Sequence, residues 1–143
     1  MYFKPKKHRY KSNLLSGDSM KNWFIMLGID ILIPLLMMLF GWLLKHKTPR
    51  KNAIYGYRTS MSMKNNDTWV FANRYCGKLW IKCGFILLFI SIILMLLVIK
   101  VSSDTVDIMA TIMCLIQLIP LVGTIYPVEK ALKNNFDEKG NRK

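Results

Sequence analysis

Acidic residues are scarce in this 143-residue chain: eight Asp and Glu stand against 21 Lys and Arg, for a net charge of +13. Carboxylates paired to serve as general acid and base are absent, with Asp67 alone in the long stretch between the first two apolar runs. Cysteine is equally thin. Cys76, Cys83 and Cys114 are odd in number and form no CxxC pair, which argues against a zinc site or a redox motif. They read as small apolar packing residues. His8 and His46 both sit among lysines, whose charge disfavours a metal ion. No Gly-rich phosphate loop, nucleophile elbow or HExxH occurs. These absences point away from an enzyme and imply no cofactor and no metal.

What is abundant is apolar surface. Hydrophobic residues make up 52% of the chain, and the mean hydropathy is +0.25. A disordered basic tail could not be this apolar. A nucleic-acid-binding domain would spread its charge over a soluble fold, so nucleic acid is not an expected partner. The apolar residues fall in three runs. Residues 23–44 hold one charge, Asp30, over roughly the 20 residues needed to cross about 30 Å of hydrocarbon. Residues 83–99 are uncharged, and starting at Leu79 lets Lys82 extend its stem toward the headgroups. Residues 108–126 are uncharged and contain Gln117 and Pro120. The runs are apolar on every side, without the polar face of a soluble helix. The pattern predicts an all-α integral membrane protein with spans near 23–44, 79–99 and 108–126. A basic tail over 1–22 precedes them, and a basic cytoplasmic tail over 129–143 follows.

Three spans put the N-terminus and the 100–107 loop on one side. That side carries seven basic residues, and the 45–82 loop with the C-terminus carries fourteen. Positive charge accumulates in the cytoplasm, so the long loop and the C-terminus are expected there. Lys4, Lys6, Lys7, Arg9, Lys11 and Lys21 are then on the translocated side. Two readings accommodate them: initiation at Met20, or a tail lying on a membrane surface.

The 45–82 segment is long for a structureless connection, and such stretches tend to be functional. Pro49 stops the first helix from continuing. Gly56, between two tyrosines, suits a positive φ or a close backbone approach. Asn66 is expected as a helix N-cap with Asp67 in the first turn. Trp69, Asn73, Cys76 and Trp80, at spacings of 4, 3 and 4, share one face of a helix that begins along the interface and feeds into the second span. Trp69, Phe71, Tyr75 and Trp80 would anchor it as an aromatic belt, with Arg74, Lys78 and Lys82 meeting anionic headgroups. For Arg58 two roles stand open, a structural bond to loop carbonyls and a contact to a ligand or lipid phosphate.

The run Asn52-Ala-Ile-Tyr-Gly-Tyr-Arg-Thr59, followed by Ser62, Trp69 and Ala72-Asn73, resembles the signature loop of the SdpI family, N-x-x-x-G-[YF]-R-T with a later Ser, Trp and Ala-Asn. The resemblance extends over about residues 23–126. It implies an immunity protein that protects the bacterial cytoplasmic membrane from a membrane-active peptide toxin, by binding and not by catalysis. It also implies a link to a cytoplasmic repressor that a longer family member sequesters at the membrane. By resemblance Asn52, Gly56, Arg58, Thr59, Trp69 and Asn73 are the site residues. Rival readings are a membrane anchor for a cytoplasmic regulator and a holin-like pore former. Within the spans, Asp30 is costly, about 2.5–3.5 kcal/mol at a span centre. It lies at a depth comparable to that of Gln117, which leaves two readings open: a hydrogen-bonded contact between them, or an Asp30 near the boundary and wetted by local thinning. Pro34 and Pro120 should free helix carbonyls that neighbouring helices must satisfy.

Overall fold

A computed structural model of the chain describes residues 17–52 and 54–143. The expected N-terminal tail lies outside the described residues as far as position 16. Four helices follow one another: α1 (Gly17–His46), α2 (Asn66–Leu97), α3 (Ser103–Gly123) and α4 (Ile125–Asn135). Three helices are long and apolar enough to cross a membrane, with α3 and α4 counted as one across Thr124. Among the described residues there is no strand; one isolated antiparallel bridge joins Phe136 to Arg142.

The helix ends follow from local chemistry. Asp18 lies in the first turn of α1 and Lys45 and His46 in its last, each opposite in sign to the helix dipole there. The start of α2 is set by Asn65, one residue earlier than the expected Asn66. The Asn65 side chain accepts from the Thr68 backbone N–H at 2.9 Å, and the Thr68 hydroxyl accepts from the Asn65 backbone N–H at 3.1 Å. This reciprocal pair is a capping box with threonine in the place usually held by glutamate. Asp67 sits in the first turn, where the dipole favours it.

No break separates the opening of α2 from its apolar half. Its 32 residues span about 48 Å at about 1.5 Å each, well beyond the roughly 30 Å of hydrocarbon. α2 is therefore about three turns longer than a crossing needs, and among the described residues no break divides its polar opening turns from its apolar half.

α1 and α2 cross closely because the contact is built on glycine. A Cβ on Gly41 would lie 2.9 Å from the Gly77 carbonyl oxygen, and one on Gly77 would lie 2.5 Å from the Gly41 carbonyl oxygen. One on Gly84 would meet the Met38 side chain at 2.6 Å and the Pro34 carbonyl at 2.9 Å. In a bilayer, close backbone approach of this kind maximises packing where the hydrophobic effect between helices is missing. The outward faces stay apolar, with Phe24, Leu32, Leu39, Phe85, Phe89, Leu97, Leu115 and Ile119 all exposed as lipid-facing side chains would be.

Each end of the bundle has its own small core. At one end Trp23, Met95, Val98 and Val106 are buried together, and the Trp23 indole donates to the Met95 carbonyl at 2.8 Å. Asn22 donates to Asp107 at 2.7 Å beside them. At the other end Tyr57 from the long loop, Ala72 and Cys76 from α2, and Val128, Leu132 and Phe136 from the C-terminal segment form a second core. The segment after position 125 is therefore a folded part of this end. Val128, Leu132 and Phe136 recur every fourth residue and all turn inward.

The glycine crossing generates a direct test. Gly77→Ala is expected to destabilise the detergent-solubilised protein by about 1–3 kcal/mol, the usual range for overpacking. Gly28→Ala and Gly123→Ala, where an added Cβ meets nothing within 4 Å, are expected to leave it unchanged. Thermal unfolding followed by fluorescence-detected size exclusion measures both.

Candidate functional site

Three of the signature residues, Gly56, Trp69 and Asn73, meet at the first turns of α2. Gly56 adopts φ +116°, a left-handed conformation in which glycine alone is unstrained. It also leaves no room for a side chain, since a Cβ there would lie 2.8 Å from Asn73 Oδ1 and 2.9 Å from the Trp69 ring. The next residue then presents its backbone N–H to Asn73. Asn73 Oδ1 accepts from the Tyr57 N–H at 2.7 Å, and Asn73 Nδ2 donates to the Trp69 carbonyl at 2.9 Å. Trp69, fully buried, donates its indole N–H to the Pro49 carbonyl at 2.8 Å. It locks the start of the loop against α2 and is not the interfacial anchor the spacing suggested.

The remainder of the loop is held by hydroxyls. Ser62 Oγ accepts from the Thr59 N–H at 2.8 Å and lies 3.0 Å from the Tyr57 carbonyl, to which it donates. Thr68 Oγ1 reaches the Ser62 carbonyl at 3.2 Å. Asn52 makes a local turn: its Oδ1 accepts from the backbone N–H groups of Ile54 and Tyr55, at 2.8 and 3.0 Å. Asn52 therefore shapes the entry of the loop and is apart from the Asn73 cluster.

A residue that the sequence did not single out completes the site. Glu129, on α4, accepts from Thr59 Oγ1 at 2.6 Å and from the Tyr57 hydroxyl at 3.1 Å. The Tyr57 hydroxyl also lies 3.2 Å from the Ile125 carbonyl. Burial and the adjacent Glu129 carboxylate push the Tyr57 phenol above its ordinary value. On the same end, Asn65 Nδ2 donates to the Gly140 carbonyl at 2.7 Å, tying the C-terminal turn to the capping box of α2. In that turn, bonds from Asn141 and neighbouring backbone N–H groups hold the Asp137 carboxyl below its usual range.

Arg58 behaves differently from the other signature residues. It is exposed, and among the described residues no hydrogen bond or ion pair engages its guanidinium. It sits at the edge of a cleft of about 540 Å³ where the loop, α1, α2 and the α3–α4 junction meet. Phe40, Leu44, Trp80, Leu121 and Ile125 make the walls largely apolar, and Arg58 is the one charged residue lining them. The Trp80 indole donates to Thr124 Oγ1 at 3.0 Å, bracing α2 against the junction.

The second polar group lies far from this end, inside the bundle. Pro34 has no N–H, so the carbonyl of Asp30 four residues earlier lacks its helical donor. Gln117 of α3 supplies one, its Nε2 donating to the Asp30 carbonyl at 3.0 Å and to Ser91 Oγ at 2.8 Å. The structure thus brings Asp30 and Gln117 together, through the Asp30 backbone. The Asp30 carboxyl is fully buried. Its Oδ1 accepts from the Cys114 thiol at 3.3 Å, while its Oδ2 and Gln117 Oε1 have no partner among the described residues. No group of three or more His, Cys, Asp and Glu that could hold a metal ion occurs among the described residues.

Residues 48–128 match the SdpI/YfhL protein family. That stretch holds all but the first residue of the 47–65 loop, α2, α3 and the opening of α4. A curated relative, the uncharacterized protein YfhL of Bacillus subtilis (strain 168), is 42% identical over 53 residues, which is 36% of this chain and 48% of that protein. The match thus spans about half of the relative's length. No solved structure matches.

Removing the Asn73 amide leaves the buried Tyr57 N–H without an acceptor, so Asn73→Ala is expected to cost about 1–3 kcal/mol. Limited proteolysis should then cut the 47–65 loop faster than in the parent. The neutral Tyr57 phenol favours the folded state. That contribution is intact below the ordinary value of 10.0 and is lost as pH rises through the higher folded value. Glu129→Gln should shift the loss to lower pH in alkaline unfolding curves. Gln117→Leu should cost about 0.6–2 kcal/mol, the range for bonds between membrane helices, whereas Asp30→Asn should fold at least as well as the parent. Thermal melts in detergent distinguish the two.

Proposed function

This chain belongs to the SdpI/YfhL protein family, and from that premise we propose that it is an immunity protein that protects the membrane it occupies from a peptide toxin. It acts by binding and not by catalysis. The observation that carries this reading is the division of labour among the signature residues. Gly56, Thr59, Trp69 and Asn73 are consumed in holding the loop, and Asn52 in shaping its entry. Arg58 is left presented over an apolar cleft. A cation at the edge of apolar walls is suited to an amphipathic, membrane-active peptide.

The orientation follows the basic residues, with the long loop and C-terminus in the cytoplasm. The loop and the C-terminal segment lie at one end of the bundle and bond to each other, which supports counting their charges together. The projecting turns of α2 then lie at the cytoplasmic interface, with Arg74, Lys78 and Lys82 among the headgroups. A second reading is an anchor for a cytoplasmic regulator such as a repressor. An open depression of about 790 Å³ at the same end favours it as a place to dock, with Lys64, Lys133 and Lys143 lining it alongside Glu129, Asp137 and Glu138.

Expression in a toxin-sensitive strain, followed by challenge with a panel of membrane-active peptides, tests the immunity reading. The parent should raise the inhibitory concentration of at least one peptide. Arg58→Ala should lose about 10-fold or more of that protection at equal protein abundance, which is about 1.4 kcal/mol of binding. Unchanged sensitivity to every peptide with the parent protein present would sink the proposal.

A further inference from the structure

We infer that the cleft beneath Arg58 is a binding site for a single anionic phospholipid of the surrounding leaflet. This uses the same cleft and the same Arg58 as the toxin reading, so lipid and peptide would compete there, and the lipid assignment stands whether or not that reading does. Three observations meet at the cleft. Its walls are the side chains of membrane-crossing helices: Phe40 of α1, Trp80 of α2 and Leu121 of α3, joined by Ile125 at the foot of α4. Phe40 and Ile125 are 49% and 46% exposed, so the cleft opens on the lipid-facing surface of the bundle. The volume of about 540 Å³ falls within the roughly 300–1,000 Å³ of small-molecule sites.

An apolar recess facing a bilayer is filled by acyl chain, because an empty one forfeits the dispersion contacts of its lining. The charge then decides which lipid. Arg58 is the one charged residue of the lining, and among the described residues no carboxylate pairs with it. Glu129, the acid bonded to the loop, has one carboxylate oxygen already accepting from Thr59 and Tyr57. A guanidinium held at the headgroup level matches a phosphate with two parallel hydrogen bonds, which a lysine cannot reproduce. An acyl chain can lie between Phe40, Leu44, Leu121 and Ile125 while the phosphate meets Arg58. Loop residues 55–59 form the edge on which the guanidinium is carried, and the Tyr57–Asn73 bond fixes that edge.

Native mass spectrometry of the purified full chain, titrated with phosphatidylglycerol or phosphatidylcholine, tests the assignment. One phosphatidylglycerol should be retained in preference to phosphatidylcholine by about 10-fold. Arg58→Ala should abolish that preference, and Arg58→Lys should recover only part of it. Leu121→Trp, which fills the recess without altering charge, should weaken both lipids. Lys139→Ala removes a positive charge from the same end outside the cleft and should change nothing. Equal retention of the two lipids by the parent, or an undiminished preference in Arg58→Ala, would overturn the inference. So would retention of free glycerol phosphate as tight as that of the phospholipid, since the chain would then contribute nothing. Circular dichroism on each variant separates loss of the site from loss of the fold.

Discussion

The bond from the Tyr57 backbone N–H to the Asn73 side chain is the point on which the rest of this end depends. Asn73 uses both ends of its amide, one on the loop and one on its own helix. It therefore sets both where the loop lies and which way it runs. From there Tyr57 turns inward to α4, Thr59 reaches Glu129, and Arg58, between them, is directed outward. Tyr57 is buried, Arg58 exposed and Thr59 bonded to Glu129, so the three consecutive side chains do not share one side. Gly56 is the prerequisite, because a side chain at that position would displace the Asn73 oxygen from the loop.

The arrangement also accounts for why α2 is longer than a bilayer requires. The turns that project past the hydrocarbon supply a rigid post. The loop wraps one side of that post, and α4 with the Phe136–Arg142 turn closes another. A loop of this length would otherwise lose substantial entropy on ordering, about 1–2 kcal/mol per residue. Here the loss is offset by the buried core around Tyr57 and by the bonds that hold the backbone N–H groups of Tyr57, Thr59, Ser62 and Asn65.

Much of this was legible from residue order alone. The three apolar runs identified the crossing helices, because a stretch without charge in that length has few other uses. The Trp69–Asn73–Cys76 face was readable as one side of a helix, but periodicity does not distinguish a face turned to lipid from one turned to a loop. Trp69 therefore looked like an interfacial anchor. Glu129 was hidden for a different reason: its partners, Thr59 and Tyr57, are 70 and 72 residues away, and no local pattern encodes them. The only hint was an isolated acid among lysines. In α4 the basic residues drew attention to charge, while the Val128–Leu132–Phe136 spacing carried the fold. The N-cap was misplaced by one residue because Asn65 and Asn66 are equally competent, and only Thr68, three positions on, selects the first.

The bond from Gln117 to the carbonyl left open by Pro34 has a geometric consequence. Helices faced with Leu, Ile and Met can slide along one another at little cost, since one apolar turn resembles the next. A slip of α3 by one turn, about 5.4 Å, would carry Gln117 past the single carbonyl able to receive it. It would also strand an amide in hydrocarbon. The polar pair thus acts as a vernier, fixing the axial register of α3 against α1. Through Thr124 and α4 it also fixes the height at which Glu129 meets the loop.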